Sequence, residues 1–436
     1  MKLKAAVIGL GKLGSSMLAV MASKGISTFG YDIDDQKTDL LRRYQAPVYE
    51  PNIGTLIAEH QDRIVACETV QQAISAADIS FIVVPTPSRS DGSFKTEYAV
   101  NCAKAIGDAL RSQTRYHVVV LTSTLLPGDC RRHIIPAIED ASGKVCGIDF
   151  GFCYSPEFIA LGTVVQDLLN PDYFLVGQFD EKSGEYLGSI NRTVTNVDIP
   201  ISFMSVEEAE IAKIATNAFI TMKINFANSI KQAATVFPDA VSENITQAIG
   251  QDKRIGRNYL SGGLSYGGPC FPRDNRAVGT FFQNENLYEN TFMKVHDSNE
   301  KHADFMAERI LKLVGSNGPF LFVGASYKPK SNLLTESPTL KIVDCFVERG
   351  HSAYLYDQLA DILEPQADAE KYEIKNDLAA CVQDASILIM CHRDPQLLEE
   401  MVDMIKNQPS KSFVIVDCWN NVDRTMLPSN VSLTLL

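Results

Sequence analysis

Apolar residues in this chain occur either in strand-sized runs of six to eight or in longer stretches with helical spacing, and the order of the two predicts the fold. Residues 3–8 (LKAAVI) form the first run, GLGKLG follows, and residues 15–24 carry Met17, Leu18 and Met21 at helical spacing. A second strand, STFGYDID, completes a strand, glycine turn, helix, strand unit with an acidic end. Further runs at 79–85, 116–123 and 172–177 are separated by enough chain for crossover helices, so a parallel sheet covered on both faces is expected. Residues 205–236 then run without Gly or Pro, opening on a capping box of Ser205 and Glu208, and predict one long helix. From residue 319 the first pattern returns: PFLFVGASYK, a helix over 338–349, the strand SAYLYD ending at Asp357, and strands at 386–391 and 412–417. The reading is α/β: two Rossmann-like doubly wound domains joined by a long central helix. Its expected boundaries are 1–200 for a dinucleotide domain, 201–300 for a central helical dimerisation domain and 301–436 for a second nucleotide domain.

Composition narrows the function classes. The 436 residues hold 40 Lys+Arg against 53 Asp+Glu, a net charge of −13, and offer no cationic face for nucleic acid or an anionic membrane. No apolar run nears the ~18 residues that span a bilayer. The opening MKLKAAVIGLGKLG imitates a signal peptide, but its glycines break the apolar stretch too early, so a cytoplasmic location is expected. Ten scattered cysteines include no CxxC pair, which predicts reduced thiols and no metal site.

Three clusters can carry chemistry. In the first, Gly9 permits a tight turn, Gly11 lets a pyrophosphate approach the backbone and Gly14 lets helix and strand pack, while Asp32 stands where a carboxylate accepts from a ribose diol. Asp32 favours NAD over NADP by repelling a 2′-phosphate, although Lys37 is close. The second half has no GxGxxG and is open to a different nucleotide. The second cluster, residues 262–274, packs glycines and prolines around Cys270 in what reads as a loop that is neither helix nor strand. Lone cysteines are mostly inert core; Cys270 differs in having Arg273 and Asp274 close by, as an activated thiolate would need. Third, Lys213, Asn217, Thr221, Asn225 and Asn228 form a polar stripe on the long helix, either a solvated face or the wall of a cleft.

These residues resemble the nucleotide-sugar 6-dehydrogenases, the family typified by UDP-glucose and GDP-mannose 6-dehydrogenases, over nearly the whole chain. The marks in order are GLGKLG with Asp32, VPTP at 84–87, STLLPG at 123–128, SPEF at 155–158, AEIAKIATNAF at 209–219, QDKRIG at 251–256, GGPCFPRD at 267–274 and YKPKSNLLTESP at 327–338. The resemblance implies a four-electron oxidation of a sugar C6 alcohol to a carboxylate with NAD, through a thiohemiacetal and a thioester on Cys270. It places Lys213, Asn217, Asp274, Thr124 and Glu157 as catalytic, with Lys213 near the developing oxyanion, Asp274 on the water and Glu157 as base for thioester hydrolysis. Lys12, Leu13, Thr86 and Thr124 join Gly9, Gly11, Gly14 and Asp32 at the cofactor. Phe158, Arg254, Tyr266, Gly267 and Lys328 join Glu157, Lys213 and Asn217 at the substrate, with Arg254 reaching into the neighbouring subunit of a homodimer.

Three positions depart from the family pattern. Leu161 stands where a second glutamate usually follows SPEF, Arg273 replaces the lysine after CFP, and Thr335 replaces an arginine before Glu-Ser-Pro. The CFP and YKPK forms favour a UDP-linked over a GDP-linked sugar, with glucose and N-acetylhexosamine both open. Two other readings stand beside this one: a two-electron hydroxyacid-type NAD dehydrogenase, and a dinucleotide-binding protein without turnover.

Overall fold

In the computed structural model, residues 3–288, 290–316, 318–364, 372–420 and 422–436 are described. The chain divides into two units, Met1–Ala215 and Thr216–Leu436. The first holds strands β1 (Lys4–Ile8), β2 (Ser27–Tyr31), β3 (Ile64–Ala66), β4 (Ile79–Ile82), β5 (Val118–Leu121), β6 (Gly151–Tyr154), β7 (Phe174–Gln178) and β8 (Ile201–Ser205). They form one sheet in the order β3-β2-β1-β4-β5-β6-β7-β8. Alternate side chains of β1 divide between two cores, Ala5 and Val7 against the helix Lys12–Ser23, Ala6 and Ile8 against the opposite layer. A strand buried on both faces has no polar side to show, which is why it reads as an unbroken apolar run.

Two strands depart from the expected parallel sheet, β7 and its parallel neighbour β8. β7 pairs antiparallel with β6, Tyr154 opposite Gly177. The link between them, residues 155–173, contains only the helix Val164–Leu169, about 9 Å long at ~1.5 Å per residue. The chain turns back where β6 ends.

The second unit repeats the plan with β9 (Phe320–Val323), β10 (Ala353–Tyr356), β11 (Ile374–Lys375), β12 (Ile387–Met390), β13 (Phe413–Asp417) and β14 (Val431–Leu435), ordered β11-β10-β9-β12-β13-β14 and wholly parallel. Both sheets reverse strand order beside their first strand, between β1 and β4 and between β9 and β12. Open α/β sheets bind ligands at the carboxyl ends of such strands. A long helix, Val206–Ala234, joins the units. Its capping box forms as expected: Ser205 N–H and Oγ both donate to Glu208 Oε2 at 2.8 Å. No described helix is long and apolar enough to cross a membrane.

Candidate active site

At the first sheet's reversal, the three glycines stand in different surroundings. Gly9 has φ +108°, and a Cβ there would lie 2.2 Å from Val83 O; a Cβ on Gly14 would lie 1.9 Å from Gly9 O. The fold itself excludes a side chain at both. Gly11 has φ −73° and nothing within 4 Å of its notional Cβ. The fold itself therefore leaves open space at position 11, at the start of the helix that Lys12 and Leu13 open. Asp32 is buried, accepts from Leu10 N–H (2.6 Å) and Asp34 N–H (2.9 Å), and has Lys37 Nζ at 3.6 Å. This donor-rich turn with a carboxylate at the end of β2 fits a dinucleotide's pyrophosphate and ribose diol.

The second sheet does not repeat that cradle. Gly324 also has positive φ (+104°), but the His392 ring occupies the space, its Cγ 2.3 Å from a notional Cβ. Asp357 accepts from both Ala325 and Ser326 N–H at 3.0 and 2.8 Å. Asp357 thus engages two successive backbone donors of this turn, where Asp32 engages one, Leu10 N–H, of the first.

Beyond β4 and β5, Thr86 Oγ1 donates to Thr124 O (2.7 Å), tying VPTP to STLLPG. Sequence reasoning missed Glu210, which holds the same loop from the long helix. It is fully buried and accepts from Gly128 N–H (2.6 Å) and Cys130 N–H (2.9 Å). Both partners are main-chain groups about eighty residues away, and no pattern in the sequence marks them.

Lys213, one turn further along the helix, is buried, donates to Glu157 O (2.6 Å) and lies 4.5 Å over the Phe158 ring. It thus meets the carbonyl of Glu157, while the residue itself lines a cavity of about 20 Å³ with Met17, Phe81, Leu168 and Phe174. Burial among those apolar walls pushes the carboxyl up to about 7, with Lys213 pulling the other way. Folded protein then holds a proton that unfolded protein releases between about pH 4.3 and 7, so stability falls as pH rises through that window. Denaturation midpoints at pH 5 and pH 8 are expected to drop further apart in the parent than in Glu157→Gln. Equal drops would mean the carboxyl is not buried in its neutral form.

The second unit holds the remaining residues. Of ten cysteines only Cys270 is exposed; burial pushes Cys67 to about 11 and Cys102, Cys146 and Cys153 to about 12. The expectation that residues 262–274 form no regular element needs correction. Cys270 caps a helix, Phe271–Asn284, with Pro272 in its first turn. Proline is tolerated there because those amides have no intrahelical acceptor, and a thiol at a helix N-terminus is favoured as thiolate. Asp274 is fully buried: Oδ2 accepts from Asn217 Nδ2 (2.7 Å), Oδ1 from Arg273 Nε (3.0 Å) and Nη2 (2.9 Å). Both oxygens are taken up in orienting neighbours.

The polar stripe is neither a solvated face nor a plain cleft wall. Thr221 exchanges hydrogen bonds with the buried Asn275, and Asn228 clamps backbone, accepting from Gly263 N–H (2.9 Å) and donating to Leu264 O (3.2 Å). Asn299 likewise brackets Tyr266, accepting from its N–H (2.8 Å) and donating to its O (3.0 Å), and His302 Nε2 meets Gly263 O at 2.8 Å. The approach to Cys270 is therefore pinned at three residues. Tyr266 is buried and turns its ring inward; Gly267 packs so tightly that a Cβ would lie 2.1 Å from Glu336 O. Thr335 O accepts from Gly268 N–H (3.1 Å), placing that departure against the cysteine loop. Lys328 Nζ lies 5.6 Å over Tyr327. Arg254 projects with its side chain 89% exposed, held by a two-pronged contact to Asp252.

Comparison with known proteins bears on all of this. Residues 3–195 match the NAD binding domain of the UDP-glucose/GDP-mannose dehydrogenase family, 207–301 its central domain and 321–424 its UDP binding domain. The GDP-mannose 6-dehydrogenase of Pseudomonas aeruginosa is 28% identical over 94% of both chains. The UDP-glucose 6-dehydrogenase of Bacillus subtilis is 28% identical over 96% of this chain and 89% of that one. Among solved structures, a UDP-glucose dehydrogenase from Pyrobaculum islandicum superposes with a TM-score of 0.85 at 28% identity, covering 97% of this chain and 95% of its own.

Proposed function

The chain belongs to the UDP-glucose/GDP-mannose dehydrogenase family, and from that premise we propose that it oxidises the C6 alcohol of a UDP-linked sugar to a carboxylate through covalent catalysis by Cys270. The observation that carries this reading is the single exposed thiol, at a helix N-terminus whose first turn holds Asp274 on Asn217. NAD, the cofactor of the first sheet, supplies the hydride acceptor. We assign residues 1–200 to NAD, 201–300 to the central helical region and 301–436 to the nucleotide of the substrate, with the UDP binding domain match favouring uracil.

The chemistry follows from the side chains. Loss of a hydride and the hydroxyl proton turns the alcohol to an aldehyde, and the Cys270 thiolate adds to its carbon. The cation we assign to the new oxyanion is Lys213, whose ammonium is held by the Glu157 carbonyl. A second hydride loss leaves a thioester on Sγ. Water attacks the thioester carbon, its proton passes to a base, and the thiolate departs. Glu157, with a carboxyl near 7, has the proton affinity of a base at neutral pH and is our candidate for that role, which requires its side chain to leave the cavity it lines in the first unit. Asp274 orients the Asn217 amide, which donates towards substrate oxygen.

Arg254 and an apolar helix face support a homodimer. Phe219 and Phe226 lie two turns apart on the long helix, 63% and 48% exposed, and Arg254 projects from the surface as a residue reaching a neighbour's substrate would need to. Its solution mass is expected to be twice 48.0 kDa; a monomer would contradict this part of the proposal. The substrate is read by supplying NAD with UDP-glucose, UDP-N-acetylglucosamine, UDP-N-acetylmannosamine, UDP-galactose and GDP-mannose and following NADH. Reduction is expected with one of the UDP-sugars. Turnover of GDP-mannose alone would overturn the nucleotide assignment, and turnover of none would overturn the activity.

A further inference from the structure

Among the buried polar atoms of the second unit that have no hydrogen-bond partner, three belong to neighbouring groups: Lys231 Nζ, Glu243 Oε1 and Asn420 Oδ1. Lys231 is 1% exposed, near the end of the long helix, and Glu243 is the group that acts most strongly on its charge, ahead of Cys418 and Asp417. Glu243 and Asn420 are already joined, Asn420 Nδ2 donating to Glu243 Oε2 at 2.7 Å, and Ser242 Oγ donates to the same oxygen at 3.0 Å. One carboxylate oxygen is thus used twice and the other not at all. A buried ammonium without acceptors costs several kcal/mol, and burial accordingly pulls the Lys231 amine down from its usual value; a further group among the three would relieve that cost.

The chemistry of that group is constrained. A metal cation is repelled by the ammonium, and an anion by Glu243 and Asp417. A neutral species that accepts once and donates twice matches the three atoms, and water does so with the usual three hydrogen bonds of a buried site. Around this cluster lies the chain leading to Cys270. A Cβ on Gly262 would come 2.9 Å from Lys231 Cβ, and one on Gly263 would come 2.2 Å from the Trp419 ring. Trp419 is itself fixed, Nε1 donating to Cys391 O at 2.9 Å, and its chain neighbour is Asn420. Gly262 and Gly263 are sandwiched between the lysine stem and the indole.

We infer that Lys231, Glu243 and Asn420 share one buried water, and that this charged knot acts as a positioning device for the strand of chain that delivers Cys270. The inference rests on the reading of Cys270 as nucleophile for its kinetic consequence, and on packing alone for the rest. Lys231 touches no substrate; it acts through Gly262.

The test compares the full-length parent, Lys231→Met, which keeps the stem and removes the charge, and Lys231→Met with Glu243→Gln, which also removes the carboxylate left uncompensated. kcat is expected to fall about tenfold in the single variant with KM for the nucleotide sugar little changed, and to recover to within about threefold in the double. Alkylation of the exposed Cys270 by iodoacetamide is expected to change severalfold in the single variant and return in the double. That readout holds whether or not a sugar is oxidised, so a failed activity assay does not mimic a failed knot. A single variant indistinguishable from the parent in kcat and alkylation, or a double variant no better than the single, would overturn the inference. Should the variants not fold, a high-resolution map of the parent decides: density between Nζ, Oε1 and Oδ1 is expected, and its absence would overturn the shared water.

Discussion

Cys270→Ala is expected to stop oxidation at the aldehyde. Without Sγ no thiohemiacetal forms, so the second hydride has no tetrahedral centre to leave, and acid production should fall by on the order of a thousandfold or more. The fold should be untouched, because the side chain is exposed and caps its helix through backbone rather than thiol. The measurement is chromatography of the sugar products beside a thermal melt. Undiminished uronic acid from a folded Cys270→Ala protein would turn the reading towards a two-electron dehydrogenase in which the cysteine is dispensable.

Asp274→Ala has the second large effect, and it falls on stability as well as rate. The carboxylate is fully buried and holds the Asn217 amide and the Arg273 guanidinium together. Its removal takes an acceptor from a partly buried cation and from a buried amide donor, a loss of about 3 kcal/mol. Urea midpoints compared with the parent check this. A variant as stable as the parent would mean that the three-residue contact contributes nothing, and with it the orientation of Asn217 would lose its support.

How much of this could be read from the sequence depends on the range of the interaction involved. The strand runs, the glycine turn and the long helix were legible because each is written in local spacing: β1, β4, β5, β9 and β13 are short apolar runs buried on both faces. β6 (GFCY) escaped, since four residues beginning with glycine carry neither alternation nor length. β14 (VSLTL) alternates, but it sits at the end of the chain with no flanking signal. The glycines and prolines of residues 262–274 together point to a loop, yet Pro272 sits in a first helical turn, where proline is admitted.

At the site, Cys270 and Lys213 stood out by residue type and context, and Gly9, Gly11, Gly14 and Asp32 by spacing. Glu210, Asn299 and His302 did not, because their partners are backbone groups in distant loops. The direction of a side chain was equally hidden: Tyr266 has the residue type of a contact and is buried, and Lys213 meets the Glu157 carbonyl, a main-chain partner that no residue type announces. Leu161 packs with the apolar core of the first sheet, so the missing second carboxylate leaves Glu157 as the acidic side chain of the SPEF segment.

The most direct test of the covalent four-electron route is the amount of NADH formed per nucleotide sugar consumed, taken to completion with NAD in excess. The account predicts two, with the uronic acid as product. A ratio of one with an aldehyde or ketone as final product would contradict it.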